Sequence, residues 1–184
     1  MAKKKSKQNN LIFNVIVIAL AVLTVCTLFM PVISAKTIAT DASLFTAKGT
    51  EVLAAMFASE ASLEMSEGAM ALYTLRAADD TAFVATVFSW LYLITLCVSI
   101  ASIVFAVLSI LGLQFKMINK VLGIALVVLA IVTFIFAIIV AGKWTAVETI
   151  LGKEVGTKGF ICAGIYMLIG TLVAGGAQFM GARK

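Results

Sequence analysis

Over most of this chain hydrophobic positions do not alternate with polar ones. They run together in four blocks, residues 11–35, 81–115, 121–142 and 159–182, and none of the four contains a charged side chain. A bilayer core of about 30 Å is crossed by roughly 20 helical residues, so each block predicts a membrane-spanning helix. The expected fold class is all-α, an integral membrane four-helix (tetraspan) bundle. It forms a single domain over residues 1–184, with spans near 11–34, 92–115, 121–142 and 159–181. The first block is longer than the apolar core of a signal peptide, which makes it a span.

The second block overshoots. At about 1.5 Å per residue it reaches roughly 52 Å, so its first part is expected to stand outside the bilayer, with Trp90 and Tyr92 at the outer interface where such rings collect. Asp80 is placed to cap it and Asp79 to complement its dipole. The segments outside the spans, 35–91 and 143–158, carry weaker patterns. Over 50–59, Val52, Leu53, Met56 and Phe57 fall on one helical stripe, which predicts a short amphipathic helix docking through those four side chains. Glu60, Glu64 and Glu67 follow as an acidic stripe. Gly68 is expected to separate the first helix from a second over 69–77. Thr145 and Glu148 are spaced as a capping box with Gly152 as a helix stop. The expectation is therefore a small helical extracytoplasmic cap.

Charge orients the chain. Lys3, Lys4, Lys5, Lys7, Lys116, Lys120, Arg183 and Lys184 flank the spans with no acid among them, whereas the first outer segment is acidic on balance. Short basic segments stay cytoplasmic, so both termini are expected inside. The same residues suit anionic lipid headgroups. Without an aromatic platform or a binding fold beside them, they do not suit nucleic acid. Cys26, Cys97 and Cys162 all lie in the apolar blocks and no N-x-Ser/Thr sequon occurs. The outer loops thus have no disulfide framework, and a prokaryotic cell membrane is the expected location.

Small residues recur at coiled-coil spacing. In the second span, Thr95, Ser99, Ser102, Ala106 and Ser109 follow one another at steps of four and three; Gly123, Ala130 and Ala137 continue the pattern in the third, and Ala163, Gly170, Ala174, Ala177 and Gly181 in the fourth. In lipid, small side chains allow the close backbone approach that drives helix association. These stripes are candidate helix-packing sites, within one bundle or between copies. Asn14 and Gln178 sit toward the inner span ends, placed to hydrogen-bond across the bundle or to meet headgroups. The spans carry no ionisable group of the kind that marks proton relays. The chain has no His, no phosphate-binding loop and no metalloprotease motif. No catalytic residue, cofactor or metal is expected. The function expected is a non-enzymatic membrane scaffold or assembly protein, a homo-oligomer or the companion of another membrane protein. The alternative is a subunit of an oligomeric pore or small-solute transporter.

Four spans, inner termini, a long first outer loop and a short second one together resemble the claudin-like tetraspans. The resemblance extends over the whole chain in topology only. The W…G-L-W…C…C signature of the first claudin loop has no counterpart here, since that loop contains neither Trp nor Cys.

Overall fold

The computed structural model describes residues 2–59, 65–113, 115–150, 153–166 and 168–182. Four of its helices are long and apolar enough to cross a membrane: Asn10–Phe29, Ala82–Ile110, Lys116–Lys143 and Ala163–Gly181. The chain is thus mostly helical, and its four candidate spans point to a multi-pass membrane protein. In chain order the elements are α1 (Ala2–Cys26), β1 (Pro31–Thr37), β2 (Ser43–Lys48), α2 (Gly49–Phe57), α3 (Glu67–Ala77), α4 (Ala82–Ile110), α5 (Lys116–Lys143), β3 (Ala146–Ile150), β4 (Lys153–Ile161), α6 (Ala163–Tyr166) and α7 (Leu168–Gly181). They divide into two compact units. One is built from Met1–Cys26, Ile94–Val132 and Met167–Lys184, the other from Thr27–Leu93 and Thr133–Tyr166.

The first unit is helical. Four stripes at three-four spacing turn inward. On α1 these are Val17, Ala21 and Thr24; on α4 Thr95, Ser99, Ser102 and Ala106; on α5 Gly123, Leu126 and Ala130; on α7 Leu168, Thr171, Gly175 and Gln178. Their period near 3.5 is the one that keeps a seam facing its neighbours. Val17, Ala106 and Ala177 form one cluster, with Phe13, Ile16 and Ile18 against it. Thr24 and Thr171 share a buried hydrogen bond of 2.7 Å between α1 and α7. Where α5 crosses α7, Gly123 and Gly175 meet. A β-carbon on Gly123 would lie 2.7 Å from the Gly175 carbonyl oxygen, and one on Gly175 2.6 Å from that of Gly123. Only residues without a side chain permit that approach. Beyond the charged start of α5, large exposed residues of these helices are apolar: Leu11, Ile12, Val15, Val22 and Leu23 on α1, Ile100, Val104 and Val107 on α4, and Val121, Ile124, Val128 and Ile131 on α5.

The second unit contains a four-stranded antiparallel sheet in the order β2-β1-β4-β3. Sequence reasoning expected helix and bend in its place. The strand β1 occupies the last residues assigned to the first span, and β4 the first residues assigned to the fourth. β1 is central in the sheet and buried on both faces, with Val32, Ile33 and Ala35 inaccessible. Such a strand reads as a continuous apolar run, indistinguishable by composition from the end of a spanning helix. Pro31, which has no N–H to continue the helix, stands as the first residue of the strand, a position where a ladder tolerates it. The capping box expected at Thr145 and Glu148 is replaced by β3, whose Val147, Thr149 and Ile150 are β-branched or strand-favouring. The stop expected at Gly152 lies outside the described residues.

The two helices expected after span one are present as α2 and α3. α2 begins with a capping interaction in which the Glu51 carboxylate accepts from the Lys48 N–H at 2.6 Å. α3 is capped by Ser66, whose hydroxyl oxygen accepts from the Ala69 N–H. Gly68 lies inside α3, where it does not separate the helices. It lets α3 approach the Ala47 and Thr46 backbone of β2. Arg76 donates from Nη1 to the Ala55 carbonyl and ties α3 to α2. α4 starts at Ala82, so Asp79 and Asp80 fall in the turn before it. Its 29 residues reach roughly 43 Å at about 1.5 Å each. Trp90 is half exposed, as an interfacial ring would be, but Tyr92 is wholly buried. Tyr92 shares a 2.8 Å hydrogen bond with the Thr27 hydroxyl, over the flank of Gly49, where a β-carbon would collide with the Tyr92 hydroxyl and the Thr27 carbonyl.

Candidate functional site: where the buried seams end

The four inward seams of the first unit run out, at one end, into polar residues. The α1 seam, followed back from Val17, reaches Asn14 and Asn10. The α4 seam ends at Ser109. The α5 seam, followed back from Gly123, begins at Asn119. The α7 seam ends at Gln178. All five line one small cavity, of about 50 Å³, together with Phe115, Lys116, Gly181 and Ala182.

These amides and hydroxyls form a directed chain. The Ser109 hydroxyl donates to the Phe105 carbonyl at 2.8 Å, one turn back along α4, as Ser does in helices. Its oxygen then accepts from Asn119 Nδ2 at 3.0 Å. Asn119 Oδ1 in turn accepts from Gln178 Nε2 at 3.3 Å. Asn119 is 8% exposed and Gln178 only 3%, so the chain runs through the interior. Two buried oxygens of the cavity residues, Gln178 Oε1 and Asn10 Oδ1, have no partner among the described residues.

The helix-packing residues expected from the sequence are found as follows. Thr95, Ser99, Ser102, Ala106 and Ala174 are buried within the single chain. Ser109 and Gly170 are partly buried, and Gly170 has Leu20 of α1 within contact of its flank. Ser99 donates to the Thr95 carbonyl at 2.7 Å. The Ser102 hydroxyl is fully buried and has no partner among the described residues. Of the four docking residues on α2, Val52 and Met56 are buried and Leu53 is half-buried, whereas Phe57 is 69% exposed. Ala55 takes the place on the inner stripe that Phe57 was expected to hold. Glu67 opens α3; Glu60 and Glu64 lie outside the described residues.

Asn119 is the residue sequence reasoning missed, because it falls between the expected second and third spans. The signal was available, because it stands four residues before Gly123 in the same small-residue stripe. Gln178 was singled out, but its partner on another helix was not identifiable from one sequence. Among the described residues no group of His, Cys, Asp and Glu is arranged to hold a metal ion. No family model matches the chain, and no curated protein or solved structure is significantly similar to it.

Proposed function

We propose that this chain is a non-enzymatic membrane scaffold or assembly protein that self-associates in the membrane, with both termini cytoplasmic. One observation carries the reading: the spans of the first unit turn their polar residues in and their apolar residues out. A pore made from several copies needs a wetted polar stripe on the faces that copies share. On α4 the stripe of Thr95, Ser99 and Ser102 is sealed inside one chain, while Ile100, Val104 and Val107 face outward. That surface is matched to lipid or to another apolar helix, not to water. The small-residue stripe of α4 is therefore taken up by packing within the chain. Contact between copies falls to the outward apolar faces and to residues such as Phe57 and Leu44 of the second unit, which remain exposed. Orientation rests on the basic residues that flank the spans, which also favour anionic headgroups.

The experiment is the native mass of particles extracted in lipid, paired with flux through vesicles containing the purified chain. Defined multimers without ion or small-solute flux are expected. Flux that rises with protein content would replace the scaffold with a pore, and monomers at every concentration would remove self-association.

A further inference from the structure

We propose that the cavity between Asn10, Asn119, Gln178 and Lys116 is a headgroup site for a phospholipid bearing a primary ammonium. The argument begins with the direction of the hydrogen bonds. A backbone carbonyl only accepts, so the Ser109 proton must point at Phe105. That forces Asn119 to present its amide N–H to Ser109 and its oxygen to Gln178. Gln178 must then present its amide N–H to Asn119 and leave Oε1 over. The orientation of both amides follows from the chain itself. The leftover oxygen is buried in a residue 3% exposed and has no partner among the described residues. Asn10 Oδ1, also buried and without a partner among the described residues, belongs to a second residue lining the same cavity. Two acceptors without a donor call for a ligand that supplies N–H or O–H groups, because an unmet amide oxygen is costly away from water.

Size and charge narrow that ligand. A cavity of about 50 Å³ exceeds the space of roughly 10–15 Å³ that one water needs. Its lining includes Phe115 and Lys116, both exposed. The Lys116 charge disfavours a bare metal cation and favours an anion next to it. An ammonium joined to a phosphate satisfies both halves, the ammonium donating to Asn10 Oδ1 and Gln178 Oε1, the phosphate lying toward Lys116. The site also stands at the level of headgroups, where α4 ends, α5 begins and α7 makes its last turn.

The test uses the full chain in vesicles of phosphatidylethanolamine and phosphatidylcholine with matched acyl chains, reading co-purified lipid by native mass spectrometry. The two headgroups differ in that the second has no N–H to donate. Retention of phosphatidylethanolamine over phosphatidylcholine by roughly tenfold is expected, the scale of one or two hydrogen bonds to buried groups. Asn10→Leu leaves the Ser109–Asn119–Gln178 chain whole and should abolish the preference, as should Gln178→Leu. Lys116→Gln should lower retention of both lipids and leave their ratio unchanged. Equal retention by the unsubstituted protein, as for a cavity holding only water, would overturn the proposal. So would a preference that survives Asn10→Leu, or phosphatidylglycerol held as strongly as phosphatidylethanolamine.

Discussion

Adjacent residues with the same side chain can have opposite roles, and Gly175 and Gly176 test this directly. A β-carbon on Gly175 meets the Gly123 carbonyl oxygen at 2.6 Å and Val127 at 2.9 Å, whereas one on Gly176 meets nothing within 4 Å. Alanine gains up to about 1 kcal/mol over glycine in a helix interior, so Gly176→Ala should be neutral or slightly stabilising. Gly175→Ala must push α5 from α7 and should cost about 1–3 kcal/mol, the range of overpacked cores. Thermal unfolding in detergent separates the two. Ser102 allows a second comparison of this kind. Its hydroxyl is buried without a partner among the described residues, so Ser102→Ala removes an unmet polar group and should not destabilise. Ser102→Phe has no space on a fully buried face and should destabilise the monomer itself. Val104→Phe, on a side chain half exposed, should leave the melting temperature near its original value. Equal melting temperatures for Ser102→Phe and Val104→Phe would mean that the α4 seam is not a packing seam.

At the level of elements, the four long apolar helices were legible because a span demands a long uncharged run, and the sequence holds four of them. α2 and α3 were legible as well, since each has helix-forming residues and, in α2, an inner stripe. The sheet was not. β1 is buried on both faces over Val32–Ala35, which erases the alternation that marks a half-exposed strand, and it follows the first span without a polar break. β4 carries Gly156 and Gly159, weak strand formers. Gly159 is there because the backbone of Ala141 and the side chain of Trp144 pack against that position, a tertiary reason invisible in the chain. The same reasoning decides which part of the α2 stripe matters. Met56 is 7% exposed and Phe57 69%, so Met56→Asp buries an unpaired carboxylate while Phe57→Ser removes a side chain already in contact with its surroundings outside the fold. Limited proteolysis of the second unit should quicken strongly for Met56→Asp and little for Phe57→Ser. Equal cleavage rates would detach α2 from the core of that unit. The polar end of the seams was half legible, because Gln178 and Asn14 stood out as amides in apolar surroundings, while Ser109 read as a packing residue and Asn119 fell between the expected second and third spans.

For the whole molecule the remaining question is orientation, which burial and hydrogen bonding do not set. Four crossings would place both termini on one side, and the basic residues would decide which. Lys116 and Lys120 lie at the start of α5, on the same side of the spans as the basic N-terminal residues, and the segment between α1 and α4 carries most of the acids. Each Lys or Arg near an anionic leaflet is worth about 1 kcal/mol, and several act together before the first span enters. Single cysteines in a cysteine-free version of the chain read the outcome. The three native thiols lie at or within the apolar segments, and Cys26 and Cys97 are exposed there, so they are best removed. Ser43, at the exposed start of β2, and Lys120, exposed in the first turn of α5, are suitable probe positions; Asn119 is not, being buried. A membrane-impermeant maleimide added to intact cells should modify Ser43→Cys and leave Lys120→Cys unmodified until the membrane is opened. Replacing Lys3, Lys4, Lys5 and Lys7 with Gln should weaken that asymmetry and yield a mixed population in which some Lys120→Cys reacts from outside. Modification of Lys120→Cys in intact cells with all four lysines in place would invert the topology. It would also put the polar cavity at Asn119 beside the outer leaflet, so this labelling result fixes which leaflet supplies its lipid.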